Sequence, residues 1–343
     1  MSEQNKKIIK TKVGGQALIE GVMMLGPKKG CMAVRQPDRE IYTEVWDRKA
    51  PKWYNKAPFI RGCINFVSQL ADGYKYLNKS GEVSGMFDEE EDEKDKKKKG
   101  KEQDKPADNV SKEKPEDKKD EKKDGDNAAL TTAVAVISGI LGVGLAVALF
   151  VILPTLIFTG IQTLCGDTDI SAFRSLTEGI IKIALFVGYL WLTSLMKTMK
   201  RLYQYHGAEH KTIFCYEHGL DLTVGNVRIQ RRFHPRCGTS FLILMVLVSI
   251  FVTMFIPAHI VDNRVLNVLL RSGIGILLLP VIMGIGYELL KFAGRHDNLF
   301  TRIISAPGMW LQHITTREPD DSMIECAIAA VKRVIPDDGS DKW

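Results

Sequence analysis

The chain lacks most of what would mark a soluble enzyme or a secreted scaffold. Its six cysteines (Cys31, Cys63, Cys165, Cys215, Cys237 and Cys326) lie far apart and form no CxxC pair, which argues against a disulfide framework and against a zinc ribbon. The Gly-rich stretch GGQALIEGVMM (14–24) has neither phosphate-loop nor dinucleotide-loop spacing, and there is no G-x-S-x-G elbow and no evident internal repeat. The first 12 residues are Lys-rich with no apolar run behind them, so no cleaved signal peptide is expected. Charge itself is scarce over most of the chain. Residues 88–126 concentrate 30 charged side chains in 39 positions, leaving 58 among the other 304. That is about 19%, below the ~25% of soluble domains. A wholly soluble protein and a fully disordered one are both excluded.

What replaces charge is apolar runs. Residues 128–153 (AALTTAVAVISGILGVGLAVALFVIL) carry none, end at Pro154 and contain Gly139, Gly142 and Gly144, a spacing that suits close helix packing. Residues 239–257 and 272–287 are also uncharged, and 180–196 carry only Lys182, near one end. These predict four spans, since about 20 apolar residues cross a bilayer core of ~30 Å. The connection 197–238 holds eight Lys and Arg, whereas 154–179 and 258–271 hold only Arg174, Arg264 and Arg271. The positive-inside rule places 197–238 and both termini on the cytoplasmic side of the membrane. Excess base then marks membrane orientation, and no nucleic-acid partner is expected.

The fold class predicted is mainly α: a membrane domain over 128–296, preceded by a small α/β element. Within 13–80, GCMAVR (30–35) and IYTEVW (41–46) read as strands around a QPDR turn. A helix after Pro58 places Ile60, Ile64, Val67, Leu70, Ala71, Tyr74 and Leu77 on one face, to pack on protein or lie on lipid. The Met-rich stretch 14–24 is expected to pack against the membrane domain. Residues 88–126, with one Val and no aromatic, cannot offset chain entropy by burial and read as a disordered cytoplasmic linker, an arm open to a protein partner. In the C-terminal segment 297–337, SMIE (322–325) fits a capping box, followed by Ile324, Ala327, Ile328, Val331 and Ile335 on one helical face.

The most specific local signal is His206-Gly-Ala-Glu209-His210. Residues four apart share a helical face, so both imidazoles could reach one divalent, zinc-type cation, with Glu209 beside them as general base. The order H-x-x-E-H is that of the inverzincin metalloproteases, although their large soluble fold is missing here. A third ligand would come from His234, Cys237, Glu288 or His296, all near the cytoplasmic boundary. His234 and Cys237 together with the pair would make a closed, structural tetrahedral site. The plainer readings are ion pairing of Glu209 and the histidines with Arg201, Lys211 or Arg295, and a helix entry in HPRCGTS capped by Thr239 or Ser240.

Six separated motifs, GGQALIEGVMM (14–24), AVRQPD (33–38), YHGAEHKTIFCYE (205–217), HPRCGTSF (234–241), GYELLKF (286–292) and APGMWLQHITTREPDD (306–321), together resemble the YqhQ-type family of bacterial integral membrane proteins. The resemblance implies a multi-pass membrane protein with metal dependence and supplies no reaction; the charged insert departs from the family's compact pattern. Two function classes follow. One is a metal-dependent membrane hydrolase with His206 and His210 as ligands. The other is a non-enzymatic scaffold or assembly factor with a structural His/Cys site.

Overall fold

A computed structural model describes residues 9–50, 52–53, 57–86, 137–166, 173–296 and 298–342. The charged stretch 88–126 and residues 128–136 of the first expected span lie outside the described residues.

Four strands, β1 (Gly14–Leu18), β2 (Gly21–Leu25), β3 (Lys29–Arg35) and β4 (Ile41–Asp47), form an antiparallel meander in that order. The β3–β4 hairpin is the one expected around QPDR. The first corrects the reading of 14–24 as a stretch packed on the membrane domain: it pairs Gly21 with Leu18 and Met23 with Gln16 inside the sheet. The sequence hid it for a physical reason. Helix α1 (Ile60–Val83) covers one sheet face, where Leu18, Met23, Met32, Val34 and Tyr76 pack, while Val22, Met24, Cys31 and Ala33 are buried on the other. A strand buried on both faces reads as an unbroken apolar run without alternation.

The membrane-type helices follow. Helix α2 (Ile137–Leu164) and helix α3 (Arg174–Thr193) are each long and apolar enough to cross a bilayer. Helix α2 is described from Ile137 and continues past Pro154. A π-helical turn at Ala148–Ile152 precedes the proline, and the helix restarts at Leu153, leaving Pro154 in a first turn where its missing N–H is tolerated. Gly139, Gly142 and Gly144 face open space rather than a close neighbour. Helix α3 ends at Thr193, and Met196 is extended, so helix α4 (Lys197–Glu217) starts afresh rather than continuing the span. A short turn of helix, α5 (Val224–Arg228), precedes the apolar α6 (Gly238–Thr253), which has 16 residues, or ~24 Å, short of a full crossing. Helices α7 (Arg264–Leu277) and α8 (Leu279–Arg295) meet at a 43° bend and pass as a span only if taken together. Among the described residues two to three candidate spans are therefore present, not four established ones. Helices α9 (Leu299–Thr315) and α10 (Asp321–Val334) close the chain.

The segments flanking the spans share one core. Val22, Met24, Cys31 and Ala33 of the sheet pack with Tyr205, Ala208, Ile213 and Cys215 of α4 and with Met323, Ile324, Ala327 and Val331 of α10. Thr11 bridges Lys342, and its N–H donates to Glu217 at 2.9 Å, tying both ends of the chain to α4. The apolar face expected on α10 is the buried one, but its cap is Asp320, whose carboxylate accepts from the Met323 N–H at 3.0 Å, in place of Ser322. Helix α1 bridges this unit to α8 through Gly62, which sits against Tyr287 and Gly284, and to α6 through the Phe66–Phe241 ring contact. Its other face exposes Phe59, Ile60, Val67, Leu70 and Tyr74.

Candidate metal centre

Helix α4 carries the centre because nearly all of its C-terminal half is buried, from Tyr205 through Ile213. Gly207 makes this possible. The segment after α9 crosses α4 so closely that a Cβ at Gly207 would lie 2.0 Å from the Arg317 carbonyl oxygen. The crossing brings the Thr315 carbonyl over His206, whose Nδ1 donates to it at 2.8 Å. One turn on, His210 Nδ1 donates to the Arg232 carbonyl at 2.5 Å. Both rings are thereby held in the tautomer that leaves Nε2 with a free lone pair, the arrangement by which backbone carbonyls orient metal-binding histidines.

Those lone pairs converge. The two rings lie 4.4 Å apart between centroids, and His206 Nε2 is 3.2 Å from Cys237 Sγ. Ligand atoms of His206, His210 and Cys237 all fall within 4.8 Å of one another, and all three residues are buried. His210 Nε2 has no hydrogen-bond partner, nor does one carboxylate oxygen of Glu209. The β1 strand supplies the other contact to that acid, the Gly15 N–H. Burial pushes the Glu209 carboxyl up, with His206 and His210 pulling it partly back. Burial would raise the Cys237 thiol too, but the two imidazoles outweigh it and hold the thiol well below its ordinary value. Conversely, burial opposes protonation of His206, yet the sulfur beside it pushes that imidazole up to about 9.

Cys237 occupies the N-cap of α6, its sulfur accepting from the Thr239 N–H at 3.4 Å, so neither Thr239 nor Ser240 caps this helix. His234 is near but turned to other work. Its Nε2 lies 3.4 Å from Glu217, a buried acid that also pairs with Arg236, and its ring contacts Phe214. Glu217 was not among the residues singled out from sequence, and neither was Gln312, whose side chain clamps the His234 backbone with bonds of 2.7 and 2.8 Å. Glu288 is elsewhere, paired with Arg61 of α1, and exposed His296 bonds the Phe292 carbonyl. Neither joins the cluster. The plain ion-pair reading of Glu209 also fails at two of its cations, because Arg201 pairs with Glu20 and Lys211 with Glu318.

The donor set suits a borderline cation. Two imidazoles, neutral once a cation displaces the proton that His206 shares with the sulfur, and a thiolate are ligands zinc-type ions accept, and three protein ligands with an adjacent carboxylate are what an open site presents. The unpartnered His210 Nε2 and Glu209 oxygen are hard to account for otherwise, since a buried polar atom without a partner costs about 1–3 kcal/mol.

Comparison with known proteins agrees with this layout only at the level of family. A family model described as "Protein of unknown function (DUF1385)" matches residues 57–337. The chain is 31% identical over 326 residues to a protein described as "Uncharacterized protein YqhQ" from Bacillus subtilis (strain 168), an alignment covering 94% of this chain and 92% of that one. No solved structure matches.

Proposed function

Given that the chain belongs to the DUF1385 family of proteins of unknown function, we propose that it is a metal-dependent hydrolase of the bacterial cytoplasmic membrane. In this reading His206, His210 and Cys237 hold a zinc-type ion and Glu209 acts as general base. The observation that carries it is the convergence of two carbonyl-oriented Nε2 lone pairs and one sulfur within 4.8 Å, beside a buried carboxylate oxygen with no partner. A bound ion would supply Lewis-acid activation of water and of the scissile group. The chain's own residues supply the rest. Gly15 fixes one Glu209 oxygen, so the other is free to take a proton from a nucleophilic water and pass it to a leaving group. The raised carboxyl suits that exchange, because proton transfer is most efficient when the catalytic pKa approaches the working pH. The Thr315 and Arg232 carbonyls keep the imidazoles from rotating away.

Four crossings, through α2, α3, α6 and the bent α7–α8 pair, with both termini inside, complete the proposal. The core shared by the N-terminal sheet, α4 and α10 supports it, because segments that pack together must lie on one side of a bilayer. The exposed apolar face of α1 would then rest at the lipid interface, and 88–126 would extend from that side as a partner-binding arm.

Burial of all three ligands favours a second reading, in which the ion only pins α4 to α6 in a scaffold protein. Glu209→Gln separates the two. The hydrolase reading expects metal content and melting temperature to be retained while activity, or the phenotype of a deletion strain complemented with the variant, falls by ~100-fold or more. Full complementation by the variant would leave only the scaffold.

A further inference from the structure

At the other end of α3 from the His/Cys cluster, roughly 30 Å away along its 20 residues, lies a second buried polar group. Arg174, Glu178 and Arg271 are 8%, 4% and 5% exposed. Arg174 Nε donates to Glu178 at 2.9 Å, and an Arg271 nitrogen lies 3.6 Å from the other oxygen of the same carboxylate. Among the described residues two guanidinium groups thus share one acid, leaving an excess positive charge in an apolar setting. Arg174 also donates to the Ala258 carbonyl at 3.1 Å, and Arg271 to those of Ile256, at 3.2 Å, and Pro257. Capping the end of α6 does not exhaust them, because Arg174 Nη2 and Arg271 Nε remain buried without a partner among the described residues.

Both arginines line a cavity of about 260 Å³ that Ser175 and the segment Met254–Ala258 complete. Met254 and Phe255 are 61% and 75% exposed beside it, an apolar flank to a cationic pocket. We propose that this cavity is an anion site that receives a phosphate group, carried by a lipid headgroup or free. Paired guanidinium forks match phosphate oxygens in geometry and charge. An oxyanion would neutralise the excess cation, whose isolation in a low-dielectric setting is otherwise expensive. The first turn of α3, which begins at Arg174, adds its unpaired N–H dipoles with the same sign.

The test is the melting temperature of the full chain in maltoside micelles, measured with inorganic phosphate, with phosphatidylglycerol, or with a phosphate-free galactolipid. A rise with phosphatidylglycerol alone supports the site and assigns it to a headgroup. A rise with inorganic phosphate supports it and assigns it to the free ion. Equal rises with both lipids, or none with any additive, overturn the proposal and leave the arginines as caps of α6. Arg174→Gln is expected to abolish the phosphate-dependent shift. Should that variant not fold, Glu178→Gln decides. Removing the competing carboxylate should lower the half-saturating phosphate or lipid concentration, and an unchanged or higher one would contradict the proposal.

Discussion

Two buried polar clusters lie at opposite ends of α3, and their chemistries are mirror images. The His206/His210/Cys237 cluster presents lone pairs, and its unpartnered nitrogen is an acceptor. The Arg174/Glu178/Arg271 cluster presents N–H donors, and its unpartnered atoms are donors. Each leaves unsatisfied what a counter-ion of the opposite sign would satisfy. Their surroundings differ as well. The first sits where strands and helices from three parts of the chain press together into a dense core. The second sits among helices whose apolar residues are largely exposed, Leu176 and Ile180 among them. Close packing should therefore govern stability around the first cluster and contribute little along the spans.

The largest effect expected is at Gly207. A methyl group there meets a backbone oxygen that cannot move without displacing the Thr315 carbonyl from His206. Gly207→Ala should destabilise by ~3 kcal/mol or more, the upper end for overpacking, and should also weaken metal binding. Next is Glu217→Gln, which keeps an amide oxygen to accept from the Thr11 N–H but removes the buried carboxylate charge that pairs with Arg236, and should lower stability by about 3 kcal/mol in chemical or thermal melts.

The same buried pair sets a pH dependence. Burial would raise the Glu217 carboxyl, but His234 and Arg236 prevail and hold it below its ordinary value. Burial itself holds the His234 imidazole below its ordinary value of 6.5. Both groups are therefore more easily protonated in the unfolded chain, and their contribution is present at neutral pH. It should be lost as pH falls, first through 6.5 for His234 and then below about 4.5 for Glu217. A melting temperature independent of pH between 7 and 4 would contradict this.

At the small end, the exposed Arg228–Asp321 pair has side chains 59% and 53% accessible, and Arg228→Gln should cost less than ~1 kcal/mol. Along the spans, Gly142→Ala meets nothing within 4 Å and should be neutral or stabilising by up to ~1 kcal/mol. A loss at Gly142 comparable to that at Gly207 would erase the contrast between the two regions.

Legibility from sequence divides along the same line. Spacing alone placed His206, Glu209 and His210 on one helical face, and HPRC brought Cys237 into consideration, because ligand types four residues apart or in a short loop are local facts. The β3–β4 hairpin was legible from its QPDR turn, and the buried face of α10 from its helical periodicity. The β1–β2 hairpin was not, since burial on both faces removed its alternation. Nor was the choice among third ligands. Glu288 looked costly at a span end, yet Arg61 of a helix more than two hundred positions away neutralises it. The roles of Gly15, Glu217, Gln312 and Thr315 depend on contacts between distant segments, and the motifs GGQALIEGVMM and LQHITTREPDD marked those segments without showing what they touch.

The most direct test is elemental analysis of the full chain, purified in detergent without chelators and equilibrated with zinc before desalting, with X-ray absorption at the metal edge. The account predicts about one ion per chain with both sulfur and nitrogen in its coordination shell. It predicts loss of that ion in Cys237→Ser and His210→Ala, and retention in Glu288→Gln and Glu209→Gln. A folded chain that retains no stoichiometric metal, or one whose metal survives Cys237→Ser and His210→Ala, would contradict it.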